Sequence, residues 1–444
     1  MSQQRVNPGP DAASGLDVEV RWEKPVVAVS GGNATLSIQL RAREASARGG
    51  RRAPIDVAFI VDRSGSMAGE KLALVKEAVN VAAGHLRDAD QAALVVYDNA
   101  VDTLQPLQPA TPRAKTALRL ALHGVDAGGS TDLSSGWLTG CGEIGRTIAH
   151  STGAADHPAV RIRRALLLTD GLANGGITDP GEMATHAGEL RKRGISTTTL
   201  GVGLDFDEVM LSGMAEAGGG NFQFIDAPDQ LKGFFERELR ELLTIAAAGL
   251  TLTLTLPHGV RADLVNALPA ERRGKQIEVA TGDLPAGDEL DLVFALRVAP
   301  GAAGATHQLG LDLAWSDPAA DARRTRSVDV PPLVLVDDAT LDQTMADTIV
   351  VERAAVQRAT AGRREALSLD RAGRHSEARV RMRDAAAMLQ AAPMTARIRE
   401  DLELTERFAA APEAPYGAYE RKAAAFHNAR RTRGKADDPG GEQA

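Results

Sequence analysis

The chain has 444 residues, of which 43% are hydrophobic and 25% charged, the composition of a globular protein with about two to four domains. Its formal net charge of −8 argues against nucleic acid or an anionic membrane surface as the main partner. The only cysteine, Cys141, has no second thiol to pair with, so a disulfide-stapled secreted fold is excluded; it reads as a small buried hydrophobe on a helix.

Residues 1–16 are polar and rich in Pro, Gly and Ser, which predicts a disordered leader. No apolar core of a signal peptide follows Met1, and no stretch reaches the ~18–20 apolar residues needed to cross a bilayer. The expectation is a cytoplasmic protein without a membrane span. Within the segment 17–50, residues 17–44 alternate apolar and polar positions, as in Asp17-Val18-Glu19-Val20-Arg21-Trp22 and Thr35-Leu36-Ser37-Ile38-Gln39-Leu40. Period two predicts half-exposed antiparallel strands, closed by a Gly/Arg linker at Arg48 to Arg52.

The pattern changes across residues 51–245. Ile55-Asp56-Val57-Ala58-Phe59-Ile60-Val61 is almost continuously apolar, as in a strand buried on both faces. Leu72, Val75, Val79, Ala82 and Leu86 then fall at helical spacing. Further strands are predicted at 92–97, 165–169, 195–202 and 221–225, with an edge strand at 101–107. Helices are predicted at 112–123, 132–149, 180–193, 207–217 and 228–245. Strands alternating with helices in this way predict an α/β, doubly wound, mostly parallel sheet. Period two returns over residues 246–338, most cleanly in Leu250-Thr251-Leu252-Thr253-Leu254-Thr255-Leu256. This segment reads as an antiparallel β-sandwich. The strands of 17–50 have the same character, so they are expected to join it and make the α/β unit an insertion. Residues 339–410 are rich in Ala, Arg and Glu and predict a helical hairpin around Arg371-Ala372-Gly373-Arg374, similar to one tetratricopeptide-like pair. Residues 411–444 read as a disordered tail, with the basic run Arg430 to Lys435 taken as solvated.

Three loops carry the chemistry. Asp62-Arg63-Ser64-Gly65-Ser66 follows the first buried strand, Gly128-Gly129-Ser130-Thr131 precedes a helix, and Thr169-Asp170-Gly171 ends another strand. In an open parallel sheet all three lie at the carboxyl ends of strands, where ligands bind. Ser64, Ser66 and Thr131 supply hydroxyls, and Asp62 and Asp170 supply carboxylates. Such an oxygen set suits a hard divalent cation that keeps open positions for water or an external ligand. Taken singly, these residues are ordinary turn and helix-capping residues; Asp132 reads as a cap and Asp98 as a turn residue. The nine histidines show no metal-ligand spacing.

Asp-x-Ser-x-Ser, a Thr in a Gly-rich loop and a strand-ending Thr-Asp-Gly together resemble the metal-ion-dependent adhesion site of von Willebrand factor type A domains. The resemblance implies a metal site at Asp62, Ser64, Ser66, Thr131 and Asp170. It implies Mg²⁺ (or Mn²⁺ or Ca²⁺) and a partner protein that donates a carboxylate to the metal. An AAA+ ATPase is one partner class that the resemblance suggests. It also implies a binding module that is not an enzyme. Two other functions compete. A Mg²⁺-dependent hydrolase using Asp62 and Asp170 needs a base near the metal, and no His, Lys or Cys is expected to accompany the three loops. A metal-free scaffold is the other.

Overall fold

The computed structural model describes residues 15–43, 52–150, 160–225, 233, 241, 244–411 and 414–433. The leader, apart from its last two residues, most of the helix expected over 228–245 and the last part of the tail lie outside the described residues. Among the described residues no helix is long and apolar enough to cross a membrane.

The chain opens with β1 (Leu16–Trp22), β2 (Val26–Ala28) and β3 (Gly32–Ala42). The α/β unit follows, with β4 (Ile55–Asp62), α1 (Glu70–His85), β5 (Gln91–Tyr97), β6 (Val101–Pro109), α2 (Pro112–His123) and α3 (Leu133–His150). It continues through β7 (Ile162–Thr169), α4 (Pro180–Lys192), β8 (Ser196–Val202), α5 (Glu208–Ala217) and β9 (Gly219–Ile225). The sheet order is β6-β5-β4-β7-β8-β9. All neighbours are parallel except the β5–β6 edge pair. The chain therefore winds outward from β4 in one direction and from β7 in the other, which opens a crevice at the carboxyl ends of those two strands.

The unbroken apolar run of β4 follows from this double cover. Val57, Phe59 and Val61 face one core, with Leu72, Val75 and Val79 of α1 and Leu118 and Leu122 of α2. Ala58 and Ile60 face the other, with Trp137 and Cys141 of α3, Met183 of α4 and Met210 of α5. Cys141 is buried there, and burial pushes its thiol well above the usual range. Helix α4 is bounded as the sequence indicates: Asp179 caps it by accepting from Glu182 N, and Gly194 lies just beyond it at φ 82°.

The antiparallel part comprises β10 (Ile245–Thr255), β11 (Val260–Leu264), β12 (Ala270–Arg273), β13 (Gln276–Pro285) and β14 (Glu289–Val298). It ends with β15 (Thr306–His307), β16 (Gly310–Asp317), β17 (Ala322–Asp329) and β18 (Leu333–Val336), the last pairing antiparallel with β15 and parallel with β2. One sheet runs β1-β3-β14-β11 and the facing one β12-β13-β10-β16-β17. The N-terminal strands thus pair with late ones, in the register Leu36↔Phe294, Ile38↔Leu292 and Leu40↔Leu290. Leu250, Leu252 and Leu254 point into the core between the two sheets. Strand β12 shows no alternation, because all four of its residues are exposed.

The C-terminal part departs from expectation in two ways. The helical hairpin is joined by further helices: α6 (Asp338–Gln343), α7 (Thr348–Arg371), α8 (His375–Gln390) and α9 (Ala396–Ala409), followed by α10 (Ala418–Thr432). The last lies in the stretch expected to be a disordered tail. Its buried face is polar, made of Lys422, His427, Asn428, Arg431 and Thr432 with Ala424 and Ala429, so no apolar stripe announces it. Arg430 to Arg433 are therefore not a solvated tail, and Arg431 donates to both Asp401 (2.8 Å) and Glu400 (2.7 Å); Gly434 and Lys435 lie outside the described residues. Helix α10 also reaches the α/β unit. Lys422 donates to the buried Glu208 (3.1 Å), and Tyr419 meets Phe224 edge-on. Helix α7 covers the polar outer face of the β3–β14 pair, where Arg353 contacts Ser37 and Asp291.

Candidate metal centre

The switch point of the sheet brings Asp62, Ser64, Ser66, Thr131 and Asp170 together. Asp62 is the last residue of β4, and Asp170 follows the end of β7. Backbone hydrogen bonds weld the loops. Gly65 N donates to Gly129 O (3.1 Å) and Gly128 N to Arg63 O (2.8 Å). Asn174 N and Gly175 N both donate to Thr131 O (2.9 and 3.1 Å). Gly129 is required here: it adopts φ 73°, and a Cβ on it would strike the Asn99 and Asp98 side chains.

The side chains form one connected cluster. Ser64 N donates to Asp62 Oδ1 (2.7 Å), and the Thr169 hydroxyl donates to Asp62 Oδ2 (2.6 Å). The Ser64 and Ser66 hydroxyls are 3.2 Å apart, and the Ser66 hydroxyl donates to Asp170 Oδ1 (2.7 Å). A Cβ added at Gly171 would lie 3.4 Å from Thr131 Oγ1, 3.5 Å from Ser66 Oγ and 3.9 Å from Asp62 Oδ2. Oxygens from three loops therefore converge on one small space, kept open by a glycine. Asp62, Ser64, Thr131 and Asp170 are buried, whereas Gly65 and Ser66 are exposed. Of the five side chains, Ser66 alone is exposed at the surface.

Burial pushes the Asp62 carboxyl up, against the pull of its Ser64 and Thr169 hydrogen bonds, and the Asp170 charge adds to the rise. Two neighbouring buried carboxylates are costly to leave unpaired, and the Lys71 ammonium pairs with Asp170. Among the described residues no group of three or more His, Cys, Asp and Glu is placed to hold a metal. The candidate donors are instead two carboxylates and three hydroxyls, and this all-oxygen set fits a hard divalent cation of the Mg²⁺, Mn²⁺ or Ca²⁺ kind.

Three neighbours received no role of their own in the sequence reading. Thr169 orients Asp62. Tyr97 is fully buried beside the cluster, and burial and the Asp62 charge push its phenol well up. Lys71, in the first turn of α1, donates to Asp170 Oδ2, which corrects the expectation that no lysine accompanies the loops. It lies outside the three motifs, so only the packing of α1 against the site reveals it. The two acidic neighbours have local roles. Asp132 accepts from Ser135 N and from the Ser134 and Ser135 hydroxyls. Asp98 accepts from Ala100 N in a turn and from Arg63.

Residues 56–237 match the family model of the von Willebrand factor type A domain, and the chain carries such a domain. Among related sequences, the protein YfbK of Escherichia coli K12 is 28% identical over 251 residues, covering 55% of this chain and 42% of that protein. Bovine inter-alpha-trypsin inhibitor heavy chain H1 is 30% identical over 193 residues, covering 42% of this chain and 21% of its own. The match thus spans less than half the length of either relative. A solved von Willebrand factor type A protein from Catenulispora acidiphila superposes with a TM-score of 0.71 at 19% identity, covering 96% of this chain and 98% of its own. At that identity the likeness establishes the fold, and it extends through the sandwich and the C-terminal helices.

Proposed function

We propose that this protein is a metal-ion-dependent interaction module, which binds an acidic residue of a partner protein through a divalent cation held at Asp62, Ser64, Ser66, Thr131 and Asp170. The observation that carries this reading is the convergence of oxygens from three welded loops on the space beside Gly171, open to solvent at Ser66. Asp62 and Asp170 would balance the charge of Mg²⁺, and the Ser64, Ser66 and Thr131 hydroxyls would bind without neutralising it. A bound cation supplies Lewis acidity and a place for an external oxygen ligand. Asp62 and Asp170 disfavour a partner's carboxylate unless a cation lies between them, since Lys71 offsets only one of the two charges. None of the relatives and solved structures reported above is named as an enzyme. The one amine at the site, Lys71, is ion-paired with Asp170 and is not presented as a free base.

Calorimetric titration with Mg²⁺ and with Mn²⁺ tests the reading, using wild type and the Ser64→Ala/Ser66→Ala variant. Wild type is expected to bind one cation per chain. The variant is expected to lose binding by at least about tenfold while its circular-dichroism spectrum without metal stays that of the wild type. In pull-downs from native lysate, a partner should be retained only by wild type with Mg²⁺ and be lost with chelator. Absence of cation binding by wild type at millimolar metal overturns the proposal.

A further inference from the structure

The geometry points to Lys71 as the residue that sets the affinity of this site for its cation, by competing for Asp170 and passing to Asp205 when the cation takes that carboxylate. The inference rests on the metal-binding reading above and deepens it. Asp170 has both oxygens engaged: Oδ1 accepts the Ser66 hydroxyl (2.7 Å) and Oδ2 accepts the Lys71 ammonium. Asp170 is fully buried, whereas the Lys71 side chain is 31% exposed. The lysine therefore reaches in from the rim to an interior carboxylate. Its arm lies along the β8–α5 loop, where a Cβ at Gly203 would be 3.3 Å from Lys71 Cε and 3.4 Å from Nζ. On the same loop Asp205 Oδ2 is 3.6 Å from the ammonium and its side chain is 72% exposed.

A divalent cation and an ammonium cannot share Asp170 at close range without strong repulsion in a buried setting. One must leave. Asp205 is already within ion-pair distance, so the ammonium moves a short way from a buried acceptor to an exposed one and keeps a counter-charge. The cost of that exchange is subtracted from the intrinsic affinity of the oxygen cluster. Lys71 thereby weakens cation binding, and it also neutralises part of the buried charge of Asp62 and Asp170 in the absence of a cation.

The test uses the full chain and titrates Mg²⁺ and Mn²⁺ by calorimetry, with melting curves at zero and saturating metal. Lys71→Met is expected to bind Mg²⁺ about tenfold tighter than wild type, the effect of a charge-assisted hydrogen bond discounted for solvent screening. Its melting temperature without metal should fall, and the rise on adding metal should exceed that of wild type. Lys71→Arg retains a competing cation and should stay within about threefold of wild type. Asp205→Asn should weaken binding about twofold to threefold in wild type and leave it unchanged in the Lys71→Met background, a coupling that only the handover produces. Equal or weaker binding by Lys71→Met, with wild type binding normally, overturns the competition and leaves the metal site standing. Equal Asp205→Asn effects in both backgrounds overturn the handover. If wild type binds neither cation, the metal-binding reading and this inference fall together.

Discussion

Replacing Asp401 by Asn tests whether charge rather than apolar burial docks the last helix. Asp401 is completely buried. It lies between Arg363 Nη2 (2.8 Å), Arg431 Nε (2.8 Å) and His427 Nε2 (3.1 Å), which join α7, α9 and α10. Burial opposes its ionisation, but the His427 hydrogen bond and the charges of Arg363, His427 and Arg431 outweigh it and hold the carboxyl well below the usual range. The substitution keeps the shape and removes the negative charge from between two buried guanidiniums. Breaking a buried ion pair in this way costs ~3–5 kcal/mol. At ~1.4 kcal/mol per tenfold, amide hydrogen-exchange protection in 396–409 and 418–432 should fall by roughly two to three and a half orders of magnitude. The sign of the pH effect follows from the lowered folded-state value. The carboxylate's contribution is fully present above its unfolded value near ~4 and is lost as pH falls below that toward the folded value. Wild-type protection in these helices should therefore decline below about pH 4, and the Asn variant should lack that component. A loss of less than tenfold at neutral pH would refute the argument that this carboxylate organises the helices.

Two further substitutions probe the site and its support. Thr169→Val removes the hydroxyl that donates to Asp62 (2.6 Å) with little change of volume. It should lower Mg²⁺ affinity by about 10–100-fold, as loss of an orienting partner does; unchanged affinity by calorimetry would show that Asp62 is oriented without Thr169. Gly136→Ala places a methyl group into the ring of the fully buried Tyr97. It should cost ~1–3 kcal/mol, read as a lower urea midpoint by the fluorescence of the neighbouring Trp137, and an unshifted midpoint would mean that the α3–β5 contact relaxes freely.

What the sequence determines by itself is whatever repeats along the chain or sits at a strand end. The unbroken apolar run Ile55 to Val61 requires cover on both faces, and the Leu-Thr alternation from Leu250 to Leu256 requires cover on one. The spacing of strands and helices between them leads to a doubly wound sheet. Because such a sheet presents its loops at the carboxyl ends of strands, Asp62, Ser64, Ser66, Thr131 and Asp170 are expected at one end before any coordinates are known. The tertiary structure decided what depends on charge meeting charge across distant segments. Helix α10 has no apolar stripe, because its buried face is held by Glu208 of α5 and by Glu400 and Asp401 of α9, so its sequence reads as solvated. Lys71 looks like any exposed residue of a first helical turn until the β7 end brings Asp170 to its ammonium. Apolar burial leaves a periodic trace along the chain, because each element must turn one face inward. A buried ion pair leaves none, because its partner is chosen by the fold and not by sequence distance.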